Sequence, residues 1–600
     1  MSSSSPKEGP PQDVVALFHA SFHPTQGNIV DWSRKNDDEL SLDGVEFCAL
    51  PSGLHTVDQD VIYFTHGSCP GVCVFRRRKT TAHGQRGFRL SSFGVLLAPS
   101  VRPRPWLHVP ALHALADEFY EASADEDVES LHEERWTSAR AFFEAREVRH
   151  EDLGGAGQWN GWDEELDNEP STSSTQPSPN PTMNLSHFLR LLGPSSLTIY
   201  KHILGRKRVL IYTPPPVERA CMLCYAAADM CFEDQAGDAE LTPEAARARL
   251  KGKQRAGVRV LGMVTLHDLE KLNQEAVGGR GFVACTTDAL FLERPQYYDL
   301  IIDLTTTETA KGTRPMLSQS RRHLSAGARS PSFRLSTIRF TWSDVKLWSE
   351  LERILQLDPE CEPGHTCGAG PSVASSTATA SSSRWTDAWR VYEDVCLLCA
   401  GFWMGLRTRE WGGGVRLEGP DELDLSENVR RVGAGIEGGT VPRNRALRRA
   451  SGMVIRRASV PGKAMSPVEE SRTEDTAEGG QGEERTDGLE GETEGEAEGA
   501  LEWVELQRRQ ALTTRALLQA LHTNTSFLLG QLALCLPPAE ERPSRVVLAP
   551  RELLAFELGP LSGLDARFLG WLAAEYGQGS SIAVKKGWRE IVGLMFGVGS

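Results

Sequence analysis

The chain has 600 residues, with 65 Lys and Arg against 81 Asp and Glu, a formal net charge of −16 and 40% hydrophobic residues. That length holds two to four domains of roughly 100–200 residues each. Thirteen acids and two arginines within 468–500 supply −11 of the charge, so the rest is close to neutral, which excludes a nucleic-acid binder that neutralises many phosphates.

The stretches 1–12, 155–183, 236–257, 306–332, 360–384 and 411–500 are dominated by Ser, Gly, Pro, Glu or Arg. They bury too little apolar surface to offset the entropy of ordering, so they read as loops or disordered insertions. Residues 1–11 lack the apolar core of a secretory signal. With cysteines set mostly in apolar runs, the expectation is a cytoplasmic protein with reduced thiols. No run of about 18 apolar residues occurs, so any membrane association is expected to be peripheral.

In chain order, 13–23 alternates apolar and polar residues and reads as a first strand. A polar loop follows, then strands at 61–65, 72–76 and 88–97, each bounded by turn residues. Residues 106–122 carry apolar side chains at helical spacing, and 127–149 reads as a charged amphipathic helix. After 155–183, short helices are expected at 185–192 and 197–204. RKRVLIYT (206–213) is a strand buried on both faces, stopped by Pro214, Pro215 and Pro216 before a helix at 217–232. Strands at 258–264, 281–285 and 300–304 alternate with helices at 266–272 and 288–292, the rhythm of a mostly parallel α/β sheet. Helices are expected beyond, at 342–355, 385–406, 501–536, 564–576 and 584–595.

Chemical motifs are sparse. The P-loop, G-x-S-x-G and H-E-x-x-H patterns do not occur, so covalent or metal catalysis is disfavoured. The pairs Cys221/Cys224 and Cys396/Cys399 are too far apart for a two-pair zinc site and lie in apolar patterns, so they read as core cysteines. Cys361, His365 and Cys367 lack a fourth ligand nearby, and His55 and His66 read as turn or core residues. No cofactor or metal ion is expected. Within 411–500, residues 428–457 hold eight arginines against one glutamate, and RRAS occurs twice, ending at Ser451 and Ser459. A basophilic kinase would pair its carboxylates with those arginines. Phosphate there would weaken attraction of the basic stretch to the acidic run that follows and to anionic membranes.

The ordered segments resemble a known family. ALPSGLHTVDQDVIYFTH (49–66), followed by GVCVFRRR and SSFGVLLAP, resembles the upstream part of a DENN domain of the LCHN type. GPSSLTIYKHILGRKRVLIYTPPPVE (193–218) resembles the start of the central DENN part, and GFVACTTDALFLERPQYYDLIIDL (281–304) its strand–CTTD–helix–strand segment. The C-terminal 200 residues resemble an extension found in fungal LCHN-like proteins.

The resemblance implies an α/β fold, with a longin-like α+β lobe, a doubly wound α/β central DENN lobe, a helical downstream region and long disordered insertions. The expected division is 1–12 disordered, 13–150 upstream lobe, 155–183 disordered linker, 184–305 central lobe and 306–332 linker. The helical downstream part is 333–410, the disordered insertion 411–500, and the helical C-terminal part 501–600. It further implies a guanine-nucleotide exchange factor for a Rab-family GTPase in membrane trafficking, peripheral on endomembranes, or a non-exchanging scaffold that binds small GTPases or trafficking proteins. Exchange would need no covalent step, only preference for the nucleotide-free GTPase. The GTPase is expected in a cleft between the two α/β lobes, near Pro51, Ser52, Gly53, Leu54 and His55 and near Thr286, Thr287 and Asp288. The latter three read first as an N-cap for 289–292, ahead of direct contact.

Overall fold

The computed structural model describes residues 9–80, 87–122, 134–150, 153–166, 180–232, 250, 252–253, 257–305, 314–323, 332–341, 343–357, 491–536, 545–560 and 562–585. The chain divides into two units, residues 1–440 with 510–600, and residues 441–509. Of the second unit, the described residues are the helical stretch 491–509.

In the first unit, β1 (Val14–His23), β2 (Gly27–Lys35), β3 (Gln59–His66), β4 (Cys69–Lys79) and β5 (Phe88–Leu97) pair antiparallel in the order β3-β4-β5-β1-β2. The short helix α1 (Val45–Ala49) lies between β2 and β3 in sequence. Ser92 Oγ donates to the Ala49 carbonyl at 2.8 Å, which fixes α1 on one face of this half-sheet. On the other face are α2 (Val109–Ala122) and α3 (Thr137–Arg146), which bury Phe119, Tyr120, Phe142 and Phe143. The polar loop expected after β1 contains β2: its residues are mostly solvent-accessible, and the backbone ladder to β1 holds it without a hydrophobic period. The helix expected over 127–149 starts at Thr137; 123–133 lies outside the described residues.

After α4 (Trp162–Leu166), α5 (Leu185–Leu192) and α6 (Ser196–Leu204) come β6 (Arg208–Tyr212), α7 (Glu218–Asp229), β7 (Arg259–Met263), α8 (Leu269–Gly278), β8 (Phe282–Thr286) and β9 (Leu300–Asp303). The order β9-β6-β8-β7 is parallel throughout. Val209 and Ile211 enter one core while Leu210 enters another, as a strand buried on both faces requires. This is the doubly wound α/β arrangement. The two half-sheets are continuous: β3 pairs with β7 through Phe64 and Gly262, so eleven strands among the described residues form one sheet.

The remaining strands revise the expected linkers. β10 (Met316–His323) and β11 (Ser332–Thr337) extend the sheet antiparallel from β9, within and just after 306–332. β10 carries no hydrophobic alternation and β11 alternates only through Phe333 and Leu335, and the ladders to β9 and to each other hold them. Similarly, 155–183 includes α4, whose Glu165 and Trp162 close around Arg102. The guanidinium donates to Glu165 Oε1 at 2.8 Å and Asp229 Oδ1 at 2.7 Å, with the Trp162 ring 4.7 Å away. A tryptophan and a paired charge compensate for the lack of an apolar period.

The later helices are α9 (Asp344–Gln356), α10 (Gly491–Cys535) and α11 (Gly563–Tyr576). Residues 491–500, expected in a disordered insertion, are the start of α10, consistent with the helix propensity of Glu and Ala. From residue 510 the helix is in the first unit, where Leu517, Leu521, Leu528 and Leu532 are buried. The C-terminal part is not purely helical: β12 (Arg545–Leu548) pairs parallel with β13 (Ser581–Val584), where a helix was expected to begin. Lys201 of α6, fully buried, contacts Asp344 at 2.7 Å and Asp565 at 2.5 Å, tying α6, α9 and α11 together. Residues 358–490 and 586–600, including the expected helix at 385–406 with Cys396 and Cys399, and Cys361, His365, Cys367, Ser451 and Ser459, lie outside the described residues.

The seam between the half-sheets rests on Gly262, at φ +65°, where an added Cβ would meet the Tyr63 carbonyl oxygen at 2.2 Å. Gly262→Ala is therefore expected to lower stability by about 2 kcal/mol or more, from left-handed strain plus displaced backbone. Denaturant unfolding of the two proteins side by side measures it; an unchanged midpoint would show that the seam does not depend on this glycine.

Candidate functional site

Four segments meet where the parallel strands end: 44–57, 213–217, 265–268 and 286–288. The carboxyl ends of parallel strands are where open α/β sheets expose loops for ligands and partners. β7 stops at Thr265, whose hydroxyl accepts from His267 N at 3.3 Å while Asp268 Oδ2 accepts from Thr265 N at 2.8 Å. This reciprocal cap starts the turn into α8. His267 stacks on Phe47 at 3.6 Å, and Cys48 Sγ lies 3.8 Å from Asp268 Oδ2. Upstream and central elements are thereby locked together.

A second lock lies at the start of β3. Asp60, 4% exposed, accepts from Val217 N at 2.7 Å and Glu218 N at 3.1 Å. A carboxylate from the upstream half-sheet thus satisfies free N–H groups at the start of α7. Burial outweighs those donors and pushes the Asp60 carboxyl up to about 6. Burial, then the neighbouring Asp60, pushes Glu218 up to about 7.

The expected site residues divide by exposure. Pro51, Leu54 and Thr286 are buried and act as packing; Ser52 and His55 are exposed; Gly53, Thr287 and Asp288 are half-buried. Asn28, Leu90 and residues 50–55 line an open cavity of about 230 Å³. Gly53 has φ +93°, and a Cβ there would sit 3.1 Å from Pro215 Cγ, so the 50–55 loop runs against the loop after β6. Asp288 occupies the position before the 289–293 turn but its side chain does not cap it. Its carboxylate accepts instead from Leu266 N at 3.2 Å, which joins the 286–288 turn to 265–268. Both expected clusters therefore border one continuous group of loops.

His55 offers its backbone carbonyl to Arg77 at 2.7 Å, and the His66 ring meets the Ser41 carbonyl at 3.0 Å. Cys221 and Cys224 are buried in α7; Cys221 Sγ lies 3.5 Å from Cys285 Sγ, and burial pushes its thiol up. Among the described residues, no three His, Cys, Asp or Glu side chains are grouped to hold a metal ion, and no helix is long and apolar enough to cross a membrane. Sequence reasoning missed Asp60 and the Thr265–Asp268 cap. The spacing T-L-H-D before an apolar run is a readable signal for the cap. Asp60 had none, since its partners are 157 and 158 residues away.

Residues 17–313 match the family described as DENN domain-containing protein 11. The protein of that name from Rattus norvegicus is 28% identical over 295 residues, which cover 48% of this chain and 57% of the rat protein. The Xenopus laevis protein of the same name is 27% identical over 297 residues, 48% of this chain and 59% of its own length. Uncharacterized protein ANR2 of Saccharomyces cerevisiae is 24% identical over 314 residues, 49% of this chain and 58% of its own length. The match spans under three-fifths of each of these relatives. Residues 17–313, which contain the seam and all four loop segments, are thus related to the DENN domain family.

The two raised carboxyls set a pH dependence. In the unfolded chain Asp60 ionises near 3.8 and in the fold near 6. The unfolded chain loses its proton first, so stability falls as pH rises through about 4 to 6, and Glu218 extends the fall toward 7. Asp60→Asn is expected to flatten the lower part of that slope. Urea unfolding at pH 4.5, 5.5 and 6.5 checks it; parallel curves for the two proteins would contradict the assignment.

Proposed function

We propose, from the relatedness of residues 17–313 to the DENN domain family, that this protein is a guanine-nucleotide exchange factor for a Rab-family GTPase in membrane trafficking. It is of the LCHN type, with the C-terminal extension of fungal LCHN-like proteins. The observation that carries the reading is the family match together with the loop group it contains. Residues 50–55 run against Pro215 of the loop after β6, and 286–288 is tied to 265–268 through Asp288 and Leu266, so both border the loops at the carboxyl ends of the parallel strands. The GTPase docks there. Exchange follows from differential affinity: a surface that binds the nucleotide-free switch regions best lowers the cost of nucleotide release. Ser52 and His55 are the exposed contacts, and Thr287 and Asp288 flank them. Membrane contact is peripheral.

Release of fluorescent GDP from a panel of purified Rab GTPases tests the proposal. One GTPase is expected to release faster with this protein present. Ser52→Arg with His55→Glu is expected to slow that release about tenfold or more, equivalent to about 1.4 kcal/mol, with the unfolding midpoint unchanged. Binding to a nucleotide-free GTPase without acceleration would replace exchange by a scaffold role. Silence in both assays would remove the GTPase reading.

Regulation is proposed through 411–500. Phosphorylation of Ser451 and Ser459 by a basophilic kinase lowers the positive charge of 428–457 and releases it from anionic membranes. Phosphopeptide mapping from cells is expected to find both sites occupied; their constant absence would end this proposal.

A further inference from the structure

β4 carries three consecutive arginines, and their alternation across the strand gives them different fates. Arg77 points to one face, where Asp58 Oδ1 accepts from its Nε at 3.0 Å and its Nη2 at 2.5 Å. Arg76 points to the other and is held by Asp117 at 2.9 Å and Gln59 at 2.8 Å. Arg78 shares the face of Arg76, and the register sets Arg89 of β5 directly opposite it. Like charges in that relation repel.

A third guanidinium joins them. Arg135, in the turn before α3, lies 4.1 Å from the Phe119 ring centre, and Arg78 lies 5.1 Å from that of Tyr120; the two rings are 5.3 Å apart. Burial, then Arg89, lowers the Arg135 pKa, and Arg78 adds to it. Arg135 Nε is buried without a hydrogen-bond acceptor among the described residues. The carboxylate nearest in electrostatic terms is Asp31, and it is already engaged: Oδ1 with His19 Nδ1 at 2.5 Å, Oδ2 with Ser21 Oγ at 2.9 Å. Burial pulls the His19 pKa down, so the ring is neutral at pH 7. Three cations against one carboxylate leave +2 among these described side chains. The C-terminal end of α2 offsets only a fraction of it. The floor is fixed, because the Tyr120 hydroxyl is hydrogen-bonded to Ser91 at 2.5 Å and His19 at 3.3 Å.

We propose that Arg78, Arg89 and Arg135 form a binding site for a phosphate dianion, carried free or as a phosphate monoester. Charge selects a dianion, and planar guanidinium forks suit tetrahedral oxygens better than point-charge ammoniums. The site is on the face of the half-sheet opposite Arg77 and the His55 loop, so it is separate from the proposed GTPase surface.

The test uses the full chain. Titration calorimetry with inorganic phosphate against chloride at constant ionic strength is expected to show saturable binding. Arg89→Gln and Arg135→Gln should each weaken it at least about tenfold, while Arg77→Gln leaves it unchanged. Arg89→Lys, which keeps the charge, should weaken it less than Arg89→Gln. Flotation with phosphatidylcholine vesicles, with and without a phosphoinositide, identifies the source: retention that Arg89→Gln abolishes names a lipid headgroup, and phosphate binding without retention names a soluble phosphate. No saturable binding, or equal loss in Arg77→Gln, overturns the site. It is also overturned if phosphate binds only after Asp125, Glu126, Asp127, Glu129 and Glu133 are all made neutral, because those acids would then be its occupant.

Discussion

Two half-sheets with different strand logic, one antiparallel and one parallel, can share one sheet only if a pair of edge strands comes within backbone hydrogen-bonding distance. That approach happens at Phe64 and Gly262, and the absence of a side chain at Gly262 is what permits it. The close contact extends the ladder by one residue pair, so it needs reinforcement on either side. Asp60 supplies it by holding the first N–H groups of α7, and Thr65 Oγ1 adds a bond to the Val260 carbonyl at 3.0 Å. The loops that carry the proposed GTPase surface hang from the same joint. Their mutual placement is set by main-chain geometry, not by a flexible linker between lobes.

Packing of the C-terminal residues obeys a different constraint. Lys201 would be costly to bury alone, and burial opposes its charge, but Asp344 and Asp565 hold the ammonium protonated. Thr341 Oγ1 and Ser343 Oγ bring further hydrogen bonds to the same cluster. Such a group fixes orientation: α6, α9 and α11 satisfy it together or leave a charge unpaired. The Arg102 cage plays the equivalent role at the other end, joining α4 to Asp229 of α7.

Much of the architecture was legible because buried strands write themselves in β-branched runs. The runs at 61–65, 206–213 and 281–285 became β3, β6 and β8. β2 escaped because an edge strand is held by ladder bonds with its side chains partly in water; β10, paired on both sides, escaped because its sequence is polar even where Ser318 and Gln319 are buried. α4 escaped for another reason: Trp162 and Glu165 earn their place around Arg102, a long-range pairing that leaves no local period. The resemblance carried by the 49–66 and 281–304 motifs is what put both loops forward as candidates. It could not sort exposed Ser52 and His55 from buried Leu54 and Thr286, because that depends on what packs behind them. Nor could it reveal Asp60 or Asp288 as ties between segments.

The Lys201 cluster also bears on how the chain is made. Its second carboxylate, Asp565, lies 364 residues downstream. At about 5–20 residues per second a ribosome needs roughly 20–70 s to cover that distance. Within that interval Asp344 is made 143 residues after Lys201 and Asp565 only at its end, so the ammonium gains its two carboxylates one after the other. The segment between, however long, adds little to the equilibrium cost, since closing a loop grows only with the logarithm of its length. Insertions there are cheap for the finished fold and expensive in time, so their length trades against exposure of a half-built core during synthesis.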